Sequence, residues 1–311
     1  MISDESFQMT IAICTHNRSD LLFENVKKTL DVCQLCNWIS LLIVDNASTD
    51  DTSNTILKLI DYGKLKGIKI ESAFENKLGI AAARNCALDA CETEFIAFID
   101  DDAYIANSWV SAVKNAFQEN DMLAACGGPV KPVYSIARPE WLSDRLLWAY
   151  SVHERGKCDR DYIFPDHPLG VNMVFNKKKL SLRFDELLGR KGKNLISWEE
   201  SQFFRELMLC GGRVTYLSKA IVYHVIPQER LTKEWLKKRH KAEGVTKAII
   251  ALKKDSSHFY RFYKVSGAIA LYVVFFALSF MPFGKEIHFF SKMKMLYFFG
   301  FLKGFLSDGQ S

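Results

Sequence analysis

An apolar run, "FIAFI" at residues 95–99, leads straight into Asp100, Asp101 and Asp102. Three adjacent carboxylates repel one another, and each ionised neighbour raises the cost of ionising the next unless a cation or a bound ligand offsets it. Two readings follow. The triplet is a solvated turn, or it is a divalent-metal site that holds something anionic. Other polar residues with chemical capacity sit at the ends of apolar segments: "THNR" at 15–18, "DNASTD" at 45–50, the acid pair Glu199–Glu200, and His224 closing "AIVYH". An acid pair opening a helix can do no more than complement the macrodipole. A lone histidine at a strand end is more often structural than a ligand.

The elements around these residues decide between the readings. "MTIAIC", "SLLIVD", "GIKIESA" and "EFIAFID" read as strands, and they alternate with helical patterns in "SDLLFENVKKTL", "STDDTSNTILKLI" and "GIAAARNCALDA". Such alternation predicts an α/β fold with a doubly wound, mostly parallel sheet flanked by helices. Ligands of such sheets bind beyond the carboxyl ends of the strands. The clusters at 15–18, 45–50 and 100–102 all fall there, so the fold would bring them to one edge. That placement favours the metal reading of the triplet.

The middle of the chain is less regular. It holds a Trp-rich helix candidate, "EWLSDRLLWAY", a loop "CDRDYIFPDHP" and a strand "GVNMVF". A helix "EESQFFRELMLC" and the strands "RVTYLS" and "AIVYH" then close the core. A basic amphipathic helix over "TKEWLKKRHKAEGVTKAIIALKK" leads into an apolar tail. From Val265 to Gly284 no residue is charged, a length sufficient to cross a bilayer. The rest of the tail mixes Lys285, Lys292, Lys294 and Lys303 with Phe and Leu, the composition of a helix lying in a membrane interface. The expected organisation is a catalytic domain over 1–230 with halves at 1–125 and 126–230, a basic helical linker over 231–262, and a membrane-associating tail over 263–311.

Composition narrows the partners. The chain has 311 residues, 49% hydrophobic and 25% charged, with a net charge of +5. That is a globular protein with an apolar excess, and it lacks zinc-finger spacing or an RNP-type motif, so no nucleic-acid partner is expected. The N-terminus has no apolar signal region, and the cysteines are scattered through apolar segments, as expected of a reduced, cytoplasmic setting. The lone CxxC of Cys33 and Cys36 lacks a second ligand pair and reads as a helix-end packing pair rather than a zinc site.

Taken in order, seven segments resemble family 2 glycosyltransferases of the GT-A, nucleotide-diphospho-sugar transferase fold: "AICTHNRSDLL", "LLIVDNASTDDT", "ENKLGIAAARNCALDA", "FIDDDA", "GVNMVF" with "FDELLGRKG", "SWEESQFFREL" and "AIVYH". The resemblance spans about residues 8–250. It implies a nucleotide-diphospho-sugar donor, UDP-sugar first, and a divalent metal at the DxD-like triplet. Asp102 would be the direct metal ligand, with Asp100 also at the metal and Asp101 near ribose and metal-bound waters. His224 matches a position that some members use as a further ligand, which favours Mn²⁺ over Mg²⁺. Asp45 matches the base-binding position, with Thr15 and Asn17 lining the same pocket. Arg84 matches a nucleotide-contacting arginine, and Asn76 and Lys77 are weaker matches of that kind.

The resemblance also implies an inverting displacement, which needs a base to take the acceptor's hydroxyl proton. Glu200 aligns with that base and Glu199 with the acid before it. Here the chain departs from the pattern, with Glu for Asp at 200 and Trp198 for the usual Gly. Asp166 and His167 would face the acceptor side. Gln202 and Arg205 are followed by Glu206 and Leu207, not by the Trp of processive synthases, which implies transfer of one sugar to a saccharide or lipid-linked saccharide. Two alternatives remain: a non-catalytic, membrane-associated nucleotide-sugar-binding subunit, and a sugar nucleotidyltransferase. The latter's glycine-rich triphosphate loop has no counterpart in "ICTHNRSD". The tail would attach the enzyme to the cytoplasmic face of the membrane. A single span would leave its lysines on the far side, against the positive-inside tendency, so a hairpin or helices lying in the leaflet fit better.

Overall fold

A computed structural model describes residues 7–189, 198–254, 257–279 and 285–307. Residues 190–192 of "FDELLGRKG", Ser197, and residues 280–284 and 308–311 of the tail lie outside these. The described residues form two compact units, one of 7–133, 151–189 and 199–225, the other of 134–150, 198, 226–254, 257–279 and 285–307.

The first unit is built on β1 (Met9–Thr15), α1 (Ser19–Cys33), β2 (Ile39–Asp45), α2 (Thr52–Lys66), β3 (Ile70–Phe74), α3 (Ile80–Ala90) and β4 (Phe95–Phe98). Strands β3, β2, β1 and β4 are adjacent and parallel, and β1 and β2 are in register from Met9–Ile39 to Thr15–Asp45. Helices cover this sheet, so its inner strands are almost wholly buried and read in sequence as predominantly apolar runs. Helix α1 packs Leu22, Val26, Leu30 and Cys33 inward at helical spacing. Cys36 follows as a turn, its N–H bonded to the Cys33 carbonyl at 2.8 Å, and its thiol is free. Helix α3 buries Ala81, Ala82, Ala83 and Ala87. These small side chains leave room for a large buried cation among them, Arg84.

After β4 come β5 (Ala103–Ile105), α4 (Asn107–Glu119), β6 (Leu123–Gly127), β7 (Val130–Tyr134), β8 (Arg160–Asp161), β9 (Met173–Asn176), α5 (Glu199–Leu209), β10 (Arg213–Tyr216) and β11 (Val222–Ile226). The large sheet runs β3-β2-β1-β4-β9-β6-β10-β8. Strand β9 is antiparallel to both neighbours, so the sheet is mixed in its second half. A second sheet, β5-β11-β7, stands at the end of β4. Its register pairs His224 with Ala103, the residue after the acidic triplet.

The second unit contains α6 (Lys233–Lys254), α7 (His258–Leu278) and α8 (Lys285–Ser307). Helices α6 and α8 run side by side in the same direction. Lys233 lies over the Phe289 ring, Lys241 over Phe299, and Gly304 meets Ala248. Close approach requires glycine here: a Cβ on Gly244 would lie 2.0 Å from the Tyr297 carbonyl oxygen, and one on Gly300 2.1 Å from that of Lys241. The Trp-rich segment is not the expected α-helix but a 3-10 helix, Asp144–Tyr150. Arg138 donates to the Leu142 carbonyl at 2.9 and 2.6 Å, taking the acceptor an α-helical turn would use. The Leu146 N–H bonds instead to Ser143, three residues back.

Candidate active site

The turn after β4 splits the acidic triplet. Asp101 faces the end of β1, where Thr15 Oγ1 donates to it at 2.8 Å and Arg18 Nη1 at 2.7 Å. The same Arg18 nitrogen donates to Asp102 at 3.0 Å. Asp102 is also 3.1 Å from His224 Nε2, a contact set by the β5–β11 register. Asp100 turns the other way, its Oδ1 3.9 Å from Arg84 Nη2. Asp101 and Asp102 are buried, whereas 36% of the Asp100 side chain meets solvent. Burial raises the pKa of Asp100, with Asp102 adding to it and Arg84 opposing. Burial likewise raises that of Asp101, against the pull of Arg18.

Arg84 links the triplet to α5. Its Nη1 donates to Glu199 Oε1 and its Nη2 to Glu200 Oε1, both at 3.0 Å. Burial works against the guanidinium's charge, but Glu200 and Glu199 outweigh it and the pKa rises. The two acids differ in access: the Glu199 side chain is 4% exposed and that of Glu200 24%. Glu200 is further held by the Gly170 N–H, which donates to Oε2 at 2.9 Å. A Cβ on Gly170 would fall 1.9 Å from Glu200 Oε1 and 2.2 Å from Arg84 Nη2, so only glycine permits this approach. His167 sits beside the same helix turn, 2.6 Å from Ser201 Oγ, and Asp166 pairs with Arg155. Immediately before Glu199, Trp198 has φ 142°, a left-handed conformation that favours glycine.

The remaining sequence candidates are spread around the loops that follow β1 and β2. Asp45 is buried, and its carboxylate accepts the N–H of Ser48, three residues on, at 3.0 Å, which holds the loop after β2 in a turn. Asn17, at φ 52°, accepts the Thr49 and Asp50 N–H groups at 2.7 and 3.3 Å and so clamps the two loops together. Asn76 is exposed on the loop after β3, and Lys77 pairs with Glu186 at the surface. Three contributors carried no role in the sequence reading: Arg18, Gly170 and Asn46. Buried Asn46 donates to the carbonyls of Glu75 and Lys77 at 3.1 and 2.8 Å and accepts from Gly79 N–H at 2.8 Å, fixing the entry to α3. Arg18 ends a quoted motif and was legible as a cation; the other two act through pairings no local pattern shows.

Among the described residues no group of three or more His, Cys, Asp or Glu is arranged to hold a metal by itself. What the site offers is a charged edge: Asp100, Asp102 and His224 on one side, Arg84 and Glu200 on the other.

The chain belongs to glycosyl transferase family 2, whose model matches residues 10–181. It is 25% identical over 255 residues to the succinoglycan biosynthesis protein ExoM of Rhizobium meliloti (strain 1021), covering 78% of this chain and 75% of that one. It is likewise 25% identical over 257 residues to the glucosyl-dolichyl phosphate glucuronosyltransferase of Haloferax volcanii, covering 79% and 78%. The mannosyltransferase PcManGT from Pyrobaculum calidifontis, solved with GDP-Man and Mn²⁺, superposes with a TM-score of 0.59 at 17% identity over 97% of this chain and 88% of that one. The fold is GT-A, as the sequence motifs implied, and the protein is a glycosyltransferase.

Proposed function

We propose that the protein is an inverting, metal-dependent glycosyltransferase that moves one sugar from a nucleotide-diphospho-sugar to a hydroxyl of a lipid-linked or cell-surface saccharide, at the cytoplasmic face of a membrane. The observation that carries this reading is Glu200: a partly exposed carboxylate gripped by Arg84 and the Gly170 N–H, on the sheet edge that also presents Asp100. The names of the two relatives, one in succinoglycan biosynthesis and one acting on a glucosyl-dolichyl phosphate, support the choice of acceptor.

The donor set fits a hard divalent cation. Asp102 and His224 stand together and Asp100 is partly open, and such ions are commonly held by one or two carboxylates plus substrate phosphates rather than by an all-protein cage. The histidine favours Mn²⁺ over Mg²⁺. When bound, the ion would neutralise charge on the departing diphosphate. Arg84 contributes a buried positive charge on the same side, fixed before the reaction by Glu199 and Glu200. Glu199, almost without solvent access, is a positioning residue for Arg84. Glu200, partly open to solvent and paired with the guanidinium, is the carboxylate placed to accept a proton. The acceptor oxygen forms the bond to the anomeric carbon, the bond from that carbon to the diphosphate oxygen breaks, and the hydroxyl proton goes to Glu200.

UDP- and GDP-sugars, screened with Mn²⁺ and Mg²⁺ for nucleoside diphosphate release, test the donor class. In Glu200→Gln, donor binding persists while transfer falls by about two orders of magnitude or more. Full transfer by that variant would remove Glu200 as the base, and a wild-type chain that binds donor without turning it over would be a binding subunit instead.

A further inference from the structure

Helix α7 presents an unusual face. Tyr260–Leu278 has a mean hydropathy of 1.5, yet only 6% of the window is buried. Phe262 is 73% exposed, Val273 56% and Val274 50%. By length and composition alone the helix would cross a bilayer. Its packing argues otherwise.

Helices α6 and α8 are locked in parallel by the glycine contacts described above. Helix α7 begins four residues after α6 ends, and hence at the end where Ala248 meets Gly304. By Phe275 it has come back to the middle of α8, stacking on Phe298 at 5.9 Å. Ala268, at its midpoint, is buried, as is Ser279, the residue that caps its C-terminal end. Turning α7 across a membrane would therefore turn α6 with it. Lys237, Lys238, Lys241 and Lys247 of α6 would then enter hydrocarbon, which charged side chains strongly resist.

Charge identifies what covers the exposed face. Residues 226–311 carry fifteen Lys and Arg against six Asp and Glu, a net of +9, although the whole chain is only +5. A second copy of this surface would bring two strongly positive units together. An anionic lipid surface complements both the charge and the apolar face. At the start of α7, Lys264 lies over the rings of Tyr260 and Tyr263, placing a cation beside amphipathic aromatics as an interface helix does.

We propose that α7 lies in the plane of one anionic leaflet, its apolar face among the acyl chains and the basic residues of the three-helix unit against the lipid phosphates, without crossing the bilayer. The proposal rests on the membrane setting given under Proposed function and specifies its geometry and lipid class.

The full chain, with a C-terminal epitope, is added to preformed vesicles of phosphatidylcholine alone or with about 30 mol% phosphatidylglycerol, and binding is read by flotation. The anionic vesicles should bind at least about tenfold more strongly, the excess vanishing near 0.5 M salt. Val273→Glu with Val274→Glu should lose binding while donor turnover in solution is unchanged. The epitope should remain open to protease added outside. An epitope protected from protease, or equal binding to both vesicle types, overturns the in-plane anionic proposal while leaving membrane attachment in place. No binding to either vesicle, with a dimer in solution that Val273→Glu and Val274→Glu disrupt, overturns both and makes the face a protein contact.

Discussion

Adding a single methyl group at Gly170 should disable the site while leaving the fold standing. The Gly170 N–H donates to Glu200 Oε2 at 2.9 Å, and the Cβ of an alanine would lie 1.9 Å from Oε1 of the same carboxylate. Real contacts of this kind need 3 Å or more, so Glu200 must retreat by at least about 1 Å, which alone costs a positioned catalytic group on the order of 100-fold in rate. The same Cβ would press on Arg84 Nη2 at 2.2 Å, so the Arg84–Glu200 pair moves as well. Overpacking of this kind destabilises by roughly 1–3 kcal/mol, enough to lower Tm but not to unfold a chain of this size. The assay is turnover of the preferred donor and acceptor beside thermal melting and donor affinity. Gly170→Ala should lose about 100-fold in kcat with donor Kd changed little. Glu200→Asp, one methylene shorter, withdraws the clashing oxygen, so the double variant should be less impaired than the product of the two single losses. Wild-type turnover in Gly170→Ala, or strictly multiplicative losses in the double variant, would refute the requirement for this contact.

Three more outcomes follow from the geometry. Arg18→Met removes the guanidinium that bridges Asp101 and Asp102, so stability should fall by about 2 kcal/mol and be regained in part when Mn²⁺ is added, read by melting with and without the ion. His153 is buried against the Tyr162 hydroxyl at 3.0 Å, and burial, with Arg155 next, pushes its pKa down from 6.5 to about 4. The folded state therefore binds fewer protons than the unfolded one between those values. Stability present above pH 6.5 should be lost as pH falls toward 4, by up to about 3 kcal/mol, and denaturant titrations of His153→Gln should lack that component. Trp198→Gly should relieve the backbone at φ 142°, worth about 1–3 kcal/mol, and lose the stacking of Lys247 on the indole at 4.5 Å, worth about 1 kcal/mol. A net gain of about 1 kcal/mol is expected, and a net loss would show that the indole's packing outweighs the strain.

The first half of the fold was legible because its signals are local. A strand buried on both faces must be apolar throughout, and each helix that covers it must carry an apolar stripe, so β1, β2, β4 and the helices between them announce themselves within a dozen residues. Their parallel order then forces Thr15, Asp45 and Asp100 to one edge before any side chain is placed. The second half was less legible because its order is non-local. Strand β9 inserts antiparallel between β4 and β6, and no feature of "MVFN" says whose neighbour it is. The three-residue β5 is too short to show a period, yet it is what carries His224 to Asp102.

The same distinction separates the parts of the site. The resemblance singled out Asp102, Glu200 and His224, where residue type alone left open a solvated turn, a complement to the helix macrodipole and a structural histidine. Position identified Arg84, since an arginine among buried alanines needs partners, and it has them in Glu199 and Glu200. Gly170 could not be found in this way. Its function lies in the atoms it lacks, and only the approach of a carboxylate thirty residues later makes that absence matter. Trp198 shows the converse: the resemblance marks it as standing where a glycine is usual, and its backbone angle, φ 142°, is one that favours glycine. The strained backbone of Trp198 thus sits directly before the two acids that hold Arg84.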